Sequence, residues 1–515
     1  DLQCGCMNFD GLYADGKAYI IDIGMRNGGN YVPDLIKLST GFDLTEAAIA
    51  VALGIDYPCE SLYAPAPDPV ASYLIGNRFS GTFEGIDYAP EIQPFVVETV
   101  AFLEPGDWME PYTRSDKAAG IAFLRFPDLA TCREKIGEIE DLITARVEAK
   151  QGVSMGSGDG PKAFPELISP FLRRKLDEAE QHGDETVARV ISRQYVVRSQ
   201  QEPIRSEETL KHYEAAEEPE FEGERLFGVE RLYRRVMLFE PLYQCIAHCR
   251  YCLRQNYEQF HQNKEDIRRV ARYIGHAPGH QELREVLVTG GDPLLVPHKV
   301  RLFLEELSTH APQIETVRIA TRIPVHQPDR VDSVLLDVLG ASWPFRIEVA
   351  TQINHAAELF PEVREAFGRI GNVVSVVYNQ SVLLAGVNDS LDELVGLCDS
   401  LRGMGIENHY LFHCIPMRGV NDFRTPLDTS LALARNLATS GRISGRAKPE
   451  FALMTTIGKI TLYEGAILEH RNNAYLLQSH YSYSDRLEWN PNWRLPGNAE
   501  VDDEGFLRVW YEDRA

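Results

Sequence analysis

Two patterns of hydrophobic and polar positions alternate along the second half of the chain. Short apolar runs are followed by longer stretches in which apolar residues recur at helical spacing. Strands that alternate with helices in this way predict parallel βα units with right-handed crossovers. The pattern predicts six strands, namely Arg235–Phe239, Glu285–Thr289, Thr316–Ala320, Phe345–Ala350, Val373–Tyr378 and His409–Phe412. Since a closed barrel of this kind needs about eight units, an α/β fold with a partial (βα)6 barrel is expected.

The first part of the chain has a different pattern. A strand-like stretch ending at Phe9-Asp10, an Asp15-Gly16 turn and a second alternating stretch up to Ile23 predict a β-hairpin. The turn brings Asp10 and Asp22 side by side on adjacent strands. There the two carboxylates either hold a magnesium ion against nucleotide phosphates or are ordinary solvent-facing acids, and their spacing leaves both readings open. A helix over Cys132–Ala149 is expected to close this part of the chain.

Changes in composition divide the chain further. The stretch QGVSMGSGDGP, which begins at Gln151, is rich in glycine and serine and predicts a flexible linker. Helical periodicity follows it, and then comes a charged stretch over 207–224 that reads as a solvated face. The expected parts are a first domain 1–150, a linker 151–163, a helical arm 164–234, a partial barrel 235–465 and a C-terminal extension 466–515.

Composition excludes several classes of function. The chain has 515 residues, 44% of them hydrophobic, and a formal net charge of -24. A protein this acidic without a basic stripe is not expected to bind nucleic acid. No run of 18 apolar residues and no signal-peptide pattern appears, so no membrane span is expected. The nine cysteines are not spaced as a disulfide framework, which favours a reducing compartment, the cytoplasm. The aromatic C-terminal tail has enough apolar surface to pack on its own barrel or in a homo-oligomer.

Three of the cysteines lie in one short loop directly after the first predicted strand. Cys245, Cys249 and Cys252 are spaced x3 and then x2. Three thiolates in one loop can bind three corners of an iron–sulfur cube and leave the fourth iron open to a small molecule. The alternatives are three core cysteines at chance spacing or part of a zinc site, although His248 and His261 do not continue a zinc pattern.

Polar residues also follow the other predicted strands, at the end of a parallel barrel where chemistry gathers. They are Gly290, Gly291 and Asp292 after the second strand, Thr321 and Arg322 after the third, Gln352, Asn354 and His355 after the fourth, Asn379, Gln380 and Ser381 after the fifth, and Cys414 after the sixth.

These motifs resemble the radical S-adenosylmethionine (radical SAM) superfamily, and within it the lysine 2,3-aminomutase family. The matching stretches, which lie within about Pro165–Ser484, are the cysteine loop, LVTGGDPLLV from Leu287, RIATRIPV from Arg318, NQSVLLAGVND from Asn379 and FRTP from Phe423. The resemblance implies a 4Fe-4S cluster on the three cysteines, with SAM on its open iron. It implies that Gly290, Gly291 and Asp292 meet the methionine end of SAM, and that Tyr251 lies near the adenine.

The resemblance also implies a second cofactor. Lys459, in Gly458-Lys459-Ile460-Thr461, matches the lysine that aminomutases link to pyridoxal phosphate. A cavity wall favours the uncharged amine that this chemistry needs. Arg254 matches an arginine that the family uses for the substrate carboxylate, a task that suits its planar fork. Arg322 and Gln380 are further candidates for contacts with the cofactor's phosphate and ring, with an ordinary structural role as the alternative.

The match fails at two places that concern the substrate. Lysine mutases have two acids that hold the distal ammonium of lysine. Here the corresponding places are filled by Ile415 and by apolar residues near Met454. A buried ammonium without a counter-charge costs several kcal/mol, so a substrate other than lysine is expected. Arg418 could accept an acidic or hydrogen-bonding side chain instead.

The first domain resembles the last part of the ATP-grasp fold. On that resemblance Asp10 and Asp22 would bind Mg and Arg26 a phosphate of ATP, while Gly24 stands where the family has a metal-binding Asn. The nucleotide-gripping lobes that precede this segment in the family are absent, so we expect a truncated α+β segment that does not hydrolyse ATP by itself.

The prediction is an isomerase, a radical SAM amino acid 2,3-aminomutase that makes a β-amino acid and takes electrons from an external donor such as a flavodoxin or ferredoxin. Two alternatives stay open. One is a radical SAM enzyme of another reaction type without pyridoxal phosphate. The other is an ATP-grasp carboxylate–amine ligase with a non-catalytic second domain.

Overall fold

The computed structural model describes residues 8–14, 17–24, 29, 31–55, 57, 69–77, 81–109, 112, 115–148, 166–197, 219–256, 262–417 and 419–514. The chain divides into two compact units, 1–158 and 159–515. The predicted linker, Arg26 and Arg418 lie outside the described residues.

The first unit consists mainly of antiparallel β-structure. Its strands are β1 (Asn8–Ala14), β2 (Lys17–Gly24), β3 (Val70–Ile75), β4 (Gly81–Tyr88), β5 (Val96–Ala101), β6 (Trp108–Met109), β7 (Gly120–Arg125) and β8 (Ile143–Glu148). Its helices are α1 (Val32–Thr40), α2 (Leu44–Ala52), α3 (Leu129–Gly137) and α4 (Ile139–Leu142). The strands form a β1-β2 hairpin and the sheets β3-β7-β5 and β6-β4-β8.

The predicted hairpin is present, with Asp10 opposite Asp22 in its register. The predicted closing helix is wrong beyond Leu142. The stretch Ile143–Glu148 is strand β8, which pairs with β4. Its alternating, partly β-branched sequence, in which Ile143 and Ala145 are buried, favours a strand over a helix.

The second unit begins with the predicted helical arm. The arm contains α5 (Pro170–His182) and α6 (Glu185–Tyr195), which start at the capping residues Ser169 and Asp184. The later helices are α7 (Lys264–His276), α8 (Pro297–His310), α9 (Ile323–His326), α10 (Ser333–Leu339), α11 (Pro361–Gly371), α12 (Leu391–Gly403), α13 (Leu427–Thr439) and α14 (Tyr483–Trp489).

The strands of this unit form one large sheet and two small ones. They are β9 (Glu220–Phe221), β10 (Glu224–Arg225), β11 (Val229–Glu230), β12 (Val236–Phe239), β13 (Glu285–Val288), β14 (Thr316–Ala320), β15 (Arg346–Thr351), β16 (Val376–Leu383), β17 (Glu407–His413), β18 (Glu450–Thr455), β19 (Gly458–Thr461), β20 (Ile467–Arg471), β21 (Ala474–Ser482), β22 (Ala499–Val501) and β23 (Phe506–Glu512). The large sheet runs in chain order from β11 to β19, and the small ones are β10-β9 and β20-β21-β23-β22.

The prediction of a partial barrel is confirmed. Strands β12 to β18 are parallel to one another, and the strand order is linear and does not close. Each predicted strand overlaps an observed one, and the parallel run continues for one further strand, β18. The largest difference in bounds is at β16, because the backbone N–H groups of Val373 and Val374 still donate to Ile370 at the end of α11. Strands β11 and β19 pair antiparallel at the two edges.

The two faces of the large sheet carry different residues. Side chains such as Val286, Ile319 and Val349 are buried in the main hydrophobic core with the surrounding helices. The residues between them in sequence, among them Leu287, Arg318 and Glu348, are partly exposed and lie next to one another in the strand register. Because successive side chains of a strand point to opposite faces, these residues line the inner face of the barrel.

The C-terminal extension packs against the barrel. Tyr511 of β23 hydrogen-bonds through its hydroxyl to Nδ1 of His413 at 2.7 Å, and the two rings lie 5.7 Å apart. Among the described residues, no helix combines the length and hydropathy needed to cross a bilayer.

Candidate functional site

The cysteine loop follows β12 and is held in place by the helical arm. The backbone N–H of His248 donates to the carbonyl of Leu167 at 2.7 Å, and that of Arg250 donates to Gln194 at 2.8 Å. Within the loop, the Cys252 N–H donates to the Cys249 carbonyl at 3.0 Å. The arm therefore fixes the path of the loop through backbone contacts.

The three thiols of the loop share one partly exposed space. Burial raises the pKa of Cys252 to about 11, and the nearby Cys249 adds to the shift. The pKa of Cys245 is also raised, by burial first and then by Asp292 and the other two cysteines. The charge of Arg254 and its backbone N–H favour the Cys252 thiolate. A cationic metal centre would favour the thiolate form of these cysteines, against the effect of burial on Cys245 and Cys252.

The donor set of this loop is three free, partly exposed cysteine thiols. No group of three or more His, Cys, Asp or Glu side chains placed to hold a metal ion is found in the described part of the chain. Three thiolates from one loop are the ligands that a 4Fe-4S cluster takes when its fourth iron stays open. By their chemistry, the cysteines predicted from their spacing therefore fit such a cluster.

The Gly290-Gly291 strip supports the loop through its backbone. The Gly291 N–H donates to the Leu242 carbonyl at 2.7 Å, and the Asp292 N–H donates to Gln244 at 2.8 Å. A Cβ atom on Gly291 would lie 2.1 Å from the Gln244 carbonyl oxygen. Gly290 has a φ of 106°, which an L side chain rarely adopts. Glycine is therefore required where the strip meets the chain that leads into Cys245.

The Asp292 carboxylate is occupied by internal hydrogen bonds. It accepts from the Thr321 hydroxyl at 2.7 Å, the Arg322 backbone N–H at 2.7 Å and the Leu294 N–H at 3.2 Å. Burial raises the pKa of Asp292 to about 6, although these hydrogen bonds act to lower it. Asp292 thus ties the end of β13 to the end of β14, and a contact between this strip and SAM stays a prediction.

Arg322 lies against the cysteine loop. Its Nη1 donates to Cys249 Sγ at 2.8 Å and to the Tyr251 hydroxyl at 2.7 Å. Its Nη2 donates to Glu358 Oε2 at 2.8 Å. Burial acts to lower the pKa of Arg322, but its polar neighbours, Glu358 among them, raise it above the ordinary value, so the guanidinium stays a cation. The suggested contact with the phosphate of pyridoxal phosphate stays a prediction, because this guanidinium points to Cys249.

Tyr251 is buried in a polar network that joins the loop to the arm. Its hydroxyl donates to Gln194 Oε1 at 3.2 Å and accepts from Asn354 Nδ2 at 2.6 Å. Its ring meets that of Phe423 edge-on at 6.0 Å. Tyr251 therefore lies beside Cys249 and Arg322, and the predicted contact with the adenine is untested.

Arg254 pairs with a glutamate that sequence reasoning missed. Its Nε donates to Glu240 Oε1 at 2.9 Å, and its Nη2 donates to the same oxygen. The Tyr243 hydroxyl donates to the other oxygen of Glu240. Glu240 is 6% exposed, so the Glu240–Arg254 ion pair is buried beside Cys252. One edge of the Arg254 fork is occupied, and no hydrogen bond from Nη1 to a described residue is seen.

Glu230 lies next to this ion pair on the inner face, opposite Leu238 in the register of β11 and β12. Burial, followed by the charge of Glu240, raises its pKa to about 7, while Arg486 and Arg254 act in the opposite direction.

Lys459 lies on the edge strand β19. Its Nζ is 4.0 Å from the centre of the Tyr410 ring and 5.3 Å from that of Phe412. Burial, together with the charge of Arg318, lowers its pKa to about 8, although Glu450 partly opposes the shift. Its backbone N–H donates to the Tyr233 hydroxyl at 2.9 Å, which joins β19 to the segment between β11 and β12. Lys459 therefore fits the demand for an amine that loses its charge easily.

Two further side chains on the inner face lie near Lys459. One, Gln380, was predicted as a site residue from the sequence, and the other, Arg318, was not. Gln380, a predicted site residue, lies opposite Tyr410 in the register of β16 and β17. Arg318 was missed; its Nη2 is paired with Glu285 at 3.0 Å, and its Nη1 donates to the Tyr378 hydroxyl at 3.4 Å. The signal for Arg318 was its place between the apolar Val317 and Ile319, which puts the guanidinium on the face opposite the core.

Comparisons with known proteins agree on the chemistry of the cysteine loop. Residues 233–322 match the family model described as a 4Fe-4S single cluster domain. The chain is 29% identical over 351 residues to a putative L-lysine 2,3-aminomutase of Aquifex aeolicus, covering 66% of this chain and 88% of that protein. It is 30% identical over 368 residues to the L-lysine 2,3-aminomutase of Bacillus subtilis, covering 69% of this chain and 73% of that one.

Among solved structures, a radical SAM methyltransferase from Sphaerobacter thermophilus is similar with a TM-score of 0.31 and 16% identity, covering 44% of this chain and 68% of that one. An overlap this slight adds nothing to the fold seen in the strands themselves.

Proposed function

Because this chain belongs to the lysine 2,3-aminomutase family of the radical SAM superfamily, we propose that it is a pyridoxal phosphate-dependent 2,3-aminomutase. Its substrate would be an α-amino acid other than lysine. The observation that carries the proposal is the environment of Lys459. This amine lies in the barrel against two aromatic rings, burial lowers its pKa to about 8, and no ion pair or hydrogen bond to a described residue holds it.

The cofactors would supply the radical and hold the migrating nitrogen, and the protein residues do the remaining work. Cys245, Cys249 and Cys252 would hold the cluster in a loop that the arm keeps in place. Lys459 would hold pyridoxal phosphate on the opposite edge of the open sheet. The Tyr233 hydroxyl ties the backbone of Lys459 to the segment that leads into β12 and the cysteine loop. These contacts support a single site that uses both groups.

Arg254 would bind the substrate carboxylate. Glu240 holds the Nε and Nη2 edge of its guanidinium, so that Nη1 is the donor left for a ligand. A guanidinium fixed on one side loses little conformational freedom when a carboxylate binds on the other. Arg254 follows Cys252 by two residues. The substrate carboxylate would therefore be held close to the cluster loop.

The choice of a substrate other than lysine rests on Ile415 and Met454. They stand where the family pattern has acids for a distal ammonium, and Ile415 is 6% exposed. The inner-face acid Glu285 is already paired with Arg318 at 3.0 Å. A lysine ammonium placed against Ile415 and Met454 would lose its hydration without gaining a partner, at a cost of several kcal/mol.

A substrate panel tests this choice. Anaerobically reconstituted enzyme with SAM, pyridoxal phosphate and a reductant is offered lysine, glutamate and uncharged amino acids, and the β-amino acids formed are measured. We expect the best substrate to exceed lysine in kcat/KM by at least about 100-fold, the equivalent of about 3 kcal/mol. Rapid conversion of lysine alone would contradict the proposal. Failure to assemble iron and sulfide would instead favour a carboxylate–amine ligase with a non-catalytic second unit.

For the first unit we propose binding of Mg²⁺ with ATP at the β1-β2 hairpin. The register places Asp10 directly opposite Asp22, which supports a shared cation between them. Titration of the full chain with Mn²⁺ and a non-hydrolysable ATP analogue should show a bound ion, without hydrolysis of ATP itself. Asp10→Asn and Asp22→Asn should each weaken binding by at least about tenfold, since each removes a charged oxygen ligand. Asp34→Asn in α1 serves as the control, and an equal effect of all three substitutions would refute the site.

A further inference from the structure

Beyond the proposed aminomutase reaction, we infer that Arg322 and Glu358 form a buried charge pair that sets how readily the iron–sulfur cluster accepts an electron. Arg322 is the positioning residue that touches a cluster ligand, and Glu358 acts through Arg322. The inference concerns the cluster alone and does not require pyridoxal phosphate.

The Arg322 guanidinium is fixed against one corner of the predicted cluster. Its Nη1 donates to Cys249 Sγ at 2.8 Å, and the residue is 8% exposed. Its backbone is also fixed, because its N–H donates to Asp292 at 2.7 Å. The ring of Tyr195 packs against the guanidinium at 5.6 Å. Contacts of both the backbone and the side chain of Arg322 therefore hold its positive charge at the sulfur of Cys249.

Glu358 is fixed equally well on the far side of Arg322. Its Oε2 accepts from Arg322 Nη2 at 2.8 Å, and its Oε1 accepts from the backbone N–H groups of Asn354 and His355 at 2.8 and 2.9 Å. The residue is 1% exposed. Its carboxylate is thus a buried counter-charge on Nη2, the terminal nitrogen next to the one that contacts Cys249.

The order Cys249, Arg322, Glu358 has an electrostatic consequence. When the cluster takes one electron from an external one-electron donor, its net charge becomes more negative by one and the donor is oxidised by one electron. A buried cation at a sulfur ligand stabilises the reduced cluster, and the more distant anion partly cancels that effect. Hydrogen bonds to ligand sulfurs are one of the means by which a protein changes the potential of such a cluster.

Other groups packed around Arg322 do not supply a second cation. Burial and the charge of Arg322 lower the pKa of His326 well below its usual range, so His326 is neutral. The Arg322 guanidinium itself donates to a cysteine of the loop, Cys249.

Redox titration of the reconstituted cluster, followed by electron paramagnetic resonance without SAM, tests the inference. In Arg322→Gln the ratio of reduced to oxidised cluster at a fixed potential should fall about tenfold, which is about 59 mV for one electron. In Glu358→Gln the same ratio should rise, because the cation loses its counter-charge. Arg322→Lys keeps the charge and should stay nearer to the wild type.

Two controls separate this effect from damage to the fold. Iron and sulfide content shows whether each variant holds a full cluster. Arg424→Gln removes another buried arginine, one that donates to the carbonyls of Cys414 and Glu512, and should leave the ratio unchanged. Shifts of the same sign in Arg322→Gln and Glu358→Gln, or no shift in either, would overturn the inference. So would an unchanged potential combined with weaker binding of SAM, which would make Arg322 a ligand residue.

The effect of the Arg322–Glu358 pair on the cluster potential can be tested separately from the proposed aminomutase reaction. A variant at Lys459 should keep the wild-type potential. The charge pair can therefore stand even if the enzyme proves not to use pyridoxal phosphate.

Discussion

Replacing Lys459 with alanine is expected to lower the rate of mutase turnover by at least about 1,000-fold. Losses of this order follow the removal of a group that acts directly in catalysis. The visible absorption that pyridoxal phosphate shows when linked to a lysine should disappear as well. The iron and sulfide content should not change, because the Lys459 side chain lies against the rings of Tyr410 and Phe412 and is not one of the cluster's ligands. Absorption spectra, metal analysis and product formation measure the three effects separately.

The pH dependence of cofactor capture gives an independent check on the same residue. Burial and Arg318 lower the pKa of Lys459 to about 8. Only the neutral amine attacks the aldehyde, so the capture rate should rise with pH up to about 8 and then level off. The exposed Lys448, which precedes β18, provides the control: Lys448→Ala should capture the cofactor normally. If Lys459→Ala still turns over, a radical SAM reaction without pyridoxal phosphate becomes the better explanation.

The sequence predicted the parallel strands because their signal is local. A run such as Glu285–Val288 carries its β-branched residues and its flanking turn within a few positions, and the observed strand starts at the predicted residue. The seventh parallel strand, β18, was missed because its sequence was interpreted only as the approach to Lys459. Its central residues Phe451, Ala452 and Leu453 are all buried, which gives no alternation to read.

The site was predictable where the chain itself brings residues together. Cys245, Cys249 and Cys252 lie in one loop, so their spacing was enough to propose a cluster. The partners that set their environment come from distant parts of the chain. Glu358 follows β15 and Gln194 lies in the arm, yet both meet the network around Cys249. Pairing of this kind depends on the packing of the barrel, and no local pattern encodes it.

Replacing Arg254 with lysine is expected to raise the KM for the amino acid by about 10- to 100-fold, because the compact ammonium of lysine cannot pair with Glu240 on one side and donate to the substrate carboxylate on the other, as the planar guanidinium does. Lysine keeps a positive charge next to Glu240, which avoids leaving a buried carboxylate alone at a cost of about 3–5 kcal/mol. The cluster content and the binding of SAM without substrate should stay close to wild type. Steady-state kinetics and spectra of the SAM-bound cluster measure the two responses.

A matched pair of substitutions separates binding of the substrate from support of the fold. Glu240→Gln removes the charge that fixes the Nε and Nη2 edge of Arg254 but keeps the shape of the side chain. If Glu240 acts by orienting Arg254, Glu240→Gln should raise KM, as Arg254→Lys does. The fold-increase in KM of the double variant should then be smaller than the product of the two single fold-increases. If both single variants lose the cluster, the ion pair supports the cysteine loop instead. If neither changes KM, the substrate carboxylate is bound elsewhere on the inner face, where Arg318 is the next cation.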